Sequence, residues 1–410
     1  MAYLEQSTRY VPYTDRPGGR WKYHVPAEVR DSRLDARYRK TLDLAFETYA
    51  RWLEPVQELF RHRHPRSPAD SEVAYRNTIR AKALDTLRGL LPAATLSNVG
   101  LFGTAQAYEA LLLRLRASPL AEAQACGARM LTELRQVIPA FLQRVDRPDR
   151  GGAWSRYLAD TRQAAAAAAR SLLAGVEPEP RPEVALTDFD PEGEVKVVAA
   201  ALYAVSSLPD DQLLARVRVM SAAERAAVLR AYVGDRANRR HKPGRAFERT
   251  SYRFDVLTDY GAFRDLQRHR LLTVEWQPLG VGHGYAVPEA VEAAGAGDDW
   301  RRVMEESAGL HDALVDDGHP EVAAYPVSMA YRIRFYLEMN AREAMHLIEL
   351  RSAPQGHAAY RRVAQAMHRL IGEQAGHAAL ADAMRFADHS EVALERLEAE
   401  RRTAARLASR

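Results

Sequence analysis

The sequence predicts an α+β chain, rich in helix, in which two copies of one domain follow each other. Three observations carry this. A chain of 410 residues can bury a sizeable core and usually divides into two or more domains. It is interrupted once by Glu177-Pro178-Glu179-Pro180-Arg181-Pro182, where alternating prolines cannot continue a helix and favour an extended spacer. An internal repeat then links the two sides. Leu115-Arg116-Ala117-Ser118-Pro119 is matched by Leu350-Arg351-Ser352-Ala353-Pro354. Likewise Glu5-Gln6-Ser7 followed by Tyr10-Val11-Pro12 is matched by Trp276-Gln277-Pro278 followed by Tyr285-Ala286-Val287-Pro288. The shared order predicts a first copy over 1–176, a linker over 177–183, a second copy over 184–390 and a charged terminal helix over 391–410.

The elements follow in order. Gln163–Ala174 is alanine-rich and predicts a long helix, and Val195–Ser207 and Asp210–Tyr232 predict amphipathic helices. Tyr252–Thr258 alternates large β-formers with polar residues and predicts a strand. Gly261–Arg270 resumes helical spacing and ends on Arg268-His269-Arg270. From Met339 to Arg351, helical rotation of about 100° per residue gathers Met339, Ala341, Ala344, Met345, Leu347, Ile348 and Leu350 on one apolar arc. Asn340 and Arg351 fall within that arc, and Arg342 and His346 stack on its edge. A polar group turned inward must find a partner. Arg351 could also serve the last helix carbonyls before Pro354. The first half repeats the inward arginine, with Arg116 amid Leu112, Leu113 and Leu115.

Composition narrows the function classes. Hydrophobic residues at 47% and charged residues at 27% are ordinary for a globular chain. Only five of the 58 basic residues are lysine, which reflects either a codon bias or a use for the planar arginine fork. The net charge of +4 is too small and dispersed to argue for nucleic acid. Cys126 is the only cysteine, so neither an intrachain disulfide nor a thiolate metal site is available and a reducing cytoplasm is expected. No run of about 18 apolar residues is present, so no membrane partner is expected. His311, Asp316 and His319 lie on loose loop spacing and carry no metal prediction.

The stretch from Gln267 to Pro278 resembles the signature of the flavin-dependent thymidylate synthases, Arg-His-Arg-x-x-Ser-x-x-x-x-Ser-x-Arg. It departs at the end, where Pro278 and Gly280 stand for the second Ser and last Arg. The missing tail resembles Leu4-Glu5-Gln6-Ser7-Thr8-Arg9-Tyr10. A second Arg61-His62-Arg63 precedes a Pro-rich loop and reads as surface charge. Asn340, Arg342, His346 and Arg351 match the family's downstream helix without a gap, and His241 and Glu248 parallel an upstream His…Glu-His segment in which Arg249 replaces the second His.

The resemblance implies the family's fold twice, with a small antiparallel sheet in each copy. It implies that Arg268, His269 and Arg270 face the diphosphate and ring of FAD, that Asn340, Arg342 and His346 also contact the flavin, and that Arg351 holds a uracil ring and stabilises its ionised N3. The nucleotide's phosphate and sugar would fall to Ser7, Arg9 and Arg88, with Arg116 repeating Arg351. From the residues alone, Ser7 and Arg9 could be a frayed terminus and Arg88 a solvated helix residue. In the first copy Ala105, Ala107 and Leu111 are expected at the positions of Asn340, Arg342 and His346, so the losses are complementary. The implied activity is reductive methylation of dUMP to dTMP using FAD, NADPH and methylenetetrahydrofolate at a composite site, in a homodimer that mimics the family tetramer. A non-catalytic relative that binds flavin or a nucleotide, or acts as a scaffold, is the competing expectation.

Overall fold

The computed structural model describes residues 1–68 and 70–391, so the charged segment expected over 391–410 lies outside the described residues but for its first position. The chain is an α+β tandem with two antiparallel sheets among the described residues. It forms two compact units that are discontinuous in sequence. Unit 1 comprises Met1–Trp52, Leu90–Pro180 and Asp298–Ser328; unit 2 comprises Leu53–Gly89, Arg181–Gly297 and Met329 onward. One boundary, between Pro180 and Arg181, falls inside the proline-rich segment. The exchange of 53–89 and 298–328 between the units was not legible in composition.

In unit 1, β1 (Ala2–Glu5) pairs antiparallel with β2 (Val99–Phe102), and β2 leads into the helix Ala105–Arg116, whose first turn is capped by Thr104. One core gathers Val29, Tyr38, Leu42, Leu310 and Leu314, and a smaller one gathers Leu112, Leu131, Leu142 and Val145. The alanine-rich stretch 163–174 lies mostly within the helix Gly151–Leu172.

In unit 2, β3 (Val184–Phe189), β4 (Ser251–Asp259), β5 (Leu272–Trp276) and β6 (Arg332–Asn340) form a sheet ordered β3-β4-β6-β5. The expected strand Tyr252–Thr258 is the body of β4. Strict alternation turns Tyr252, Phe254, Val256 and Thr258 of β4, and Ile333, Phe335, Leu337 and Met339 of β6, inward. All of these but Thr258 join the core that includes Val197, Val198, Leu347, Ile348, Val363 and Met367. The helix expected over Asp210–Tyr232 is two helices, Asp210–Arg218 and Ala222–Val233, because Ser221 and Glu224 form a reciprocal capping box that restarts the chain. Arg61, His62 and Arg63 are exposed, as a surface cluster should be.

The duplication is visible in the backbone. β1, β2 and the helix Ala105–Arg116 repeat the order of β5, β6 and the helix Ala341–Arg351. Glu5 lies opposite Val99 as Trp276 lies opposite Phe335. That register places Thr104 on Asn340, and both cap their helices. Arg116 and Arg351 both end them, yet the first helix has 12 residues and the second 11. The repeat therefore slips by one residue within the helix. Thr104, rather than Ala105, stands where Asn340 stands, while counting back from the shared terminal arginine keeps Ala107 and Leu111 opposite Arg342 and His346.

Candidate functional site

The site in unit 2 is built where two short helices begin. Asp259 ends β4 and caps the helix Tyr260–Leu266, its Oδ1 accepting from the Ala262 amide at 2.8 Å. That helix stops before Arg268, so the Arg-His-Arg lies in the turn leading to β5 rather than on the helix expected over Gly261–Arg270. The turn exposes Arg268 and Arg270 and buries His269 between them. At the end of β6, Asn340 caps the helix Ala341–Arg351 by accepting from the Glu343 amide at 3.0 Å. Asn340 is therefore a cap and not part of the helix's apolar arc. Its short polar side chain satisfies an amide that the first turn leaves open.

The turn after the first helix meets the second helix at His269. Its Nδ1 lies 3.1 Å from Glu343 Oε1, and its Nε2 lies 3.0 Å from Arg351 Nε. A guanidinium nitrogen can only donate. His269 Nε2 must therefore accept, which places the ring proton on Nδ1, where it donates to Glu343. Burial pushes the His269 pKa below its ordinary 6.5, so the neutral form is the resident one. His346 packs edge-on to His269 with ring centres 5.5 Å apart, and burial lowers its pKa as well. Ligand atoms of His269, Glu343 and His346 lie within 4.8 Å of one another, a spacing suited to a cation. The proton that Arg351 forces onto Nδ1 already fills the line between His269 and Glu343.

Arg351 is largely buried, with its guanidinium 5.4 Å from the centre of the Tyr360 ring. Burial lowers its pKa, and the charge of Asp265 opposes that shift. Arg342 donates through Nε to the Pro243 carbonyl at 2.9 Å and pairs with Glu248 at 3.3 Å. The same helix is held from behind by Arg236, which grips Glu349 with two bonds of 2.6 Å each.

Arg88 is the unexpected member. It is only 5% exposed, so it is not a solvated helix residue. Its Nη1 lies 3.4 Å from Asp265, whose other oxygen lies 3.4 Å from Arg268. Its Nη2 is buried and has no hydrogen-bond partner among the described residues. Gly261 allows this approach, since a Cβ there would lie 3.2 Å from both Nε and Nη2 of Arg88.

The sequence-predicted residues thus fall into two groups. Arg88, Arg268, His269, Arg270, Asn340, Arg342, His346 and Arg351 belong to unit 2; Ser7, Arg9 and Arg116 belong to unit 1. Ser7 Oγ accepts from the Arg9 amide at 3.2 Å in the turn after β1, and Arg9 lies 5.7 Å from the Tyr10 ring centre. Asp265 and Glu343 were missed. Each stands three residues before a residue that was singled out, Arg268 and His346, and that spacing was the available signal. His311 Nδ1 is taken up by Asp312 at 2.9 Å.

Comparison with known proteins places this geometry. The family described as thymidylate synthase complementing protein matches residues 1–140 and 185–375. UPF0159 proteins of Chlamydia pneumoniae and Chlamydia muridarum are each 35% identical over 400 residues, covering 97% of this chain and 75% of theirs. The UPF0159 protein of Thermoplasma acidophilum is 29% identical over 424 residues, covering 98% of this chain and 83% of its own. Among solved structures, the UMP/dUMP methylase PolB from Streptomyces cacaoi, bound with 5-Br dUMP, is 20% identical with a TM-score of 0.41, covering 50% of this chain and 97% of PolB. The family match runs through both halves of the sequence, on either side of the proline-rich segment and across the Arg-His-Arg turn, and on that ground the chain belongs to the thymidylate synthase complementing protein family.

Proposed function

We propose that the chain methylates dUMP to dTMP reductively, with FAD, NADPH and methylenetetrahydrofolate, at a site to which both copies of the duplicated domain contribute. One observation carries the reading: Arg88, from the first half of the sequence, shares Asp265 with Arg268 of the Arg-His-Arg turn, beside the His269–Arg351 contact. The donor set fits both ligands. Arg88 Nη2 is a buried donor awaiting an acceptor, as a nucleotide phosphate would provide. Arg268 and Arg270 are exposed forks flanking a neutral histidine, suited to a diphosphate, with Arg342 and His346 alongside.

Bound flavin would supply the reducing equivalents from NADPH that turn the transferred one-carbon unit into a methyl group. The chain's own residues would bind, orient and hold charge. Arg351 would sit against the uracil and stabilise its ionised N3, since a guanidinium beside an imide lowers the cost of the anion. His269 would fix Arg351 by taking its Nε, with the Tyr360 side chain as a second hydrogen-bond partner of the guanidinium. The working form would be a cytoplasmic homodimer of two-copy chains, divided at 177–183.

The second reading is a relative that binds a nucleotide or flavin without turnover. It is favoured by Pro278 and Gly280 in the signature and by the cap that already occupies Asn340. The test is the absorbance of the purified protein. A flavin spectrum that dUMP perturbs, with dTMP formed on adding NADPH and methylenetetrahydrofolate, is the expected result. A perturbed spectrum without dTMP leaves the second reading. A colourless protein that takes up no FAD overturns the first reading and the flavin-binding form of the second.

A further inference from the structure

We propose that unit 1 carries a ligand site of its own, built on Arg116, that takes a small phosphorylated anion. The argument begins with the repeat. Arg116 and Arg351 are the last residues of corresponding helices. In unit 2 the Nε of Arg351 finds His269 Nε2 at 3.0 Å. In unit 1 the Nε of Arg116 is equally shut off from water, yet it has no hydrogen-bond partner among the described residues. A buried charged donor without an acceptor is rare in folded proteins, and a missing ligand is one of the few ways to account for it.

The surroundings supply room and charge. Arg116 lines a cavity of about 570 Å³ between the helices Ala121–Arg135 and Gly151–Leu172. Small residues such as Ala125 and Gly152 keep it open, and Arg156 brings a second guanidinium to its wall. Gln124 and Ser155 complete the polar lining, and both are held in place, donating to Ser118 O at 2.8 Å and to Leu113 O at 3.1 Å. Among the described residues, no carboxylate lines the cavity. Arg116 influences the charge of Asp146, and Arg135 occupies both oxygens of that acid, at 2.9 and 2.5 Å. Arg116 therefore has only an acid that Arg135 already holds, and it faces an open groove large enough for a small metabolite. Two arginine forks favour the several oxygens of a phosphate.

The test is calorimetric titration of the full chain with inorganic phosphate and, separately, with adenosine monophosphate. The expected result is binding of at least one of them that Arg116→Gln weakens tenfold or more and that Arg351→Gln, in unit 2, leaves unchanged. Equal affinity for both anions assigns the site to phosphate itself, and tighter nucleotide binding assigns it to a phosphate monoester. If Arg116→Gln fails to fold, the exposed Arg156→Gln replaces it, with a weakening of at least threefold expected. Binding of neither anion, or binding that these unit 1 variants do not weaken, overturns the proposal. The outcome is independent of flavin or dUMP binding in unit 2.

Discussion

Replacing Glu349 with leucine should destabilise unit 2 severely, and the geometry says by how much. Arg236 and Glu349 are 2% and 1% exposed, and their two bonds are 2.6 Å each. Leucine is close to glutamate in volume, so the substitution leaves a stranded buried charge rather than a large void. Removing one partner of a buried pair costs roughly 3–5 kcal/mol. Arg236 keeps three carbonyl acceptors, His241 O at 2.5 Å, Ala383 O at 3.0 Å and Arg239 O at 3.4 Å, which argues for the lower end. With a urea dependence of about 1–3 kcal/mol per molar, the unfolding midpoint should fall by about 1 M or more. Circular dichroism across a urea titration measures it. The double variant Arg236→Met/Glu349→Leu should recover most of the loss, because an apolar pair of similar size removes both desolvated charges together. A single variant within about 1 kcal/mol of the parent, or a double variant no better than the single, would refute the reasoning.

Two further outcomes follow from the same region. Glu343→Gln should keep the His269 proton on Nδ1, since the amide oxygen still accepts, whereas Glu343→Leu should lose that tautomer and weaken dUMP binding about tenfold, or ~1.4 kcal/mol; nitrogen-15 imidazole shifts and a dUMP titration read the two effects. Stability should also depend on pH in one direction. Burial holds His269, His346 and His377 below the ordinary 6.5, so the unfolded chain takes up their protons first as pH falls. Their contribution is complete above about pH 6.5 and is lost below it, towards the lowered folded values. Urea midpoints at successive pH values from 7.5 to 5.5 should decline, and a level profile would count against neutral buried histidines.

Much of the fold was legible because its signals were local. Alternation marked β4, and the matched Leu-Arg…Pro strings marked the duplication. The inward arginine was legible too, since an Arg amid leucines has few options. Caps were less so. Asn340 lies on the helical wheel of an apolar face, and only the end of β6 shows that the helix starts one residue later. The one-residue slip between the copies was invisible for the same reason, because aligning Arg116 with Arg351 shifts the caps out of step. Residues 30–70 and 290–320 resemble no recognisable motif, yet they hold the long helices Asp35–Arg63 and Gly297–Asp316. The site's internal partners, Asp265 for Arg88 and Glu343 for His269, join residues 177 and 74 positions apart, and no periodicity within one element reports on such a pair.

The composite site stands or falls on Arg88, the one nucleotide residue of the first half that unit 2 contains. A dUMP titration of the flavin-loaded protein, followed by flavin difference absorbance, should be repeated with Arg88→Ala. A charge-assisted phosphate contact contributes roughly 1.5–3 kcal/mol, so the variant should bind dUMP about 10- to 150-fold more weakly with its flavin retained. An unchanged affinity would contradict the shared site.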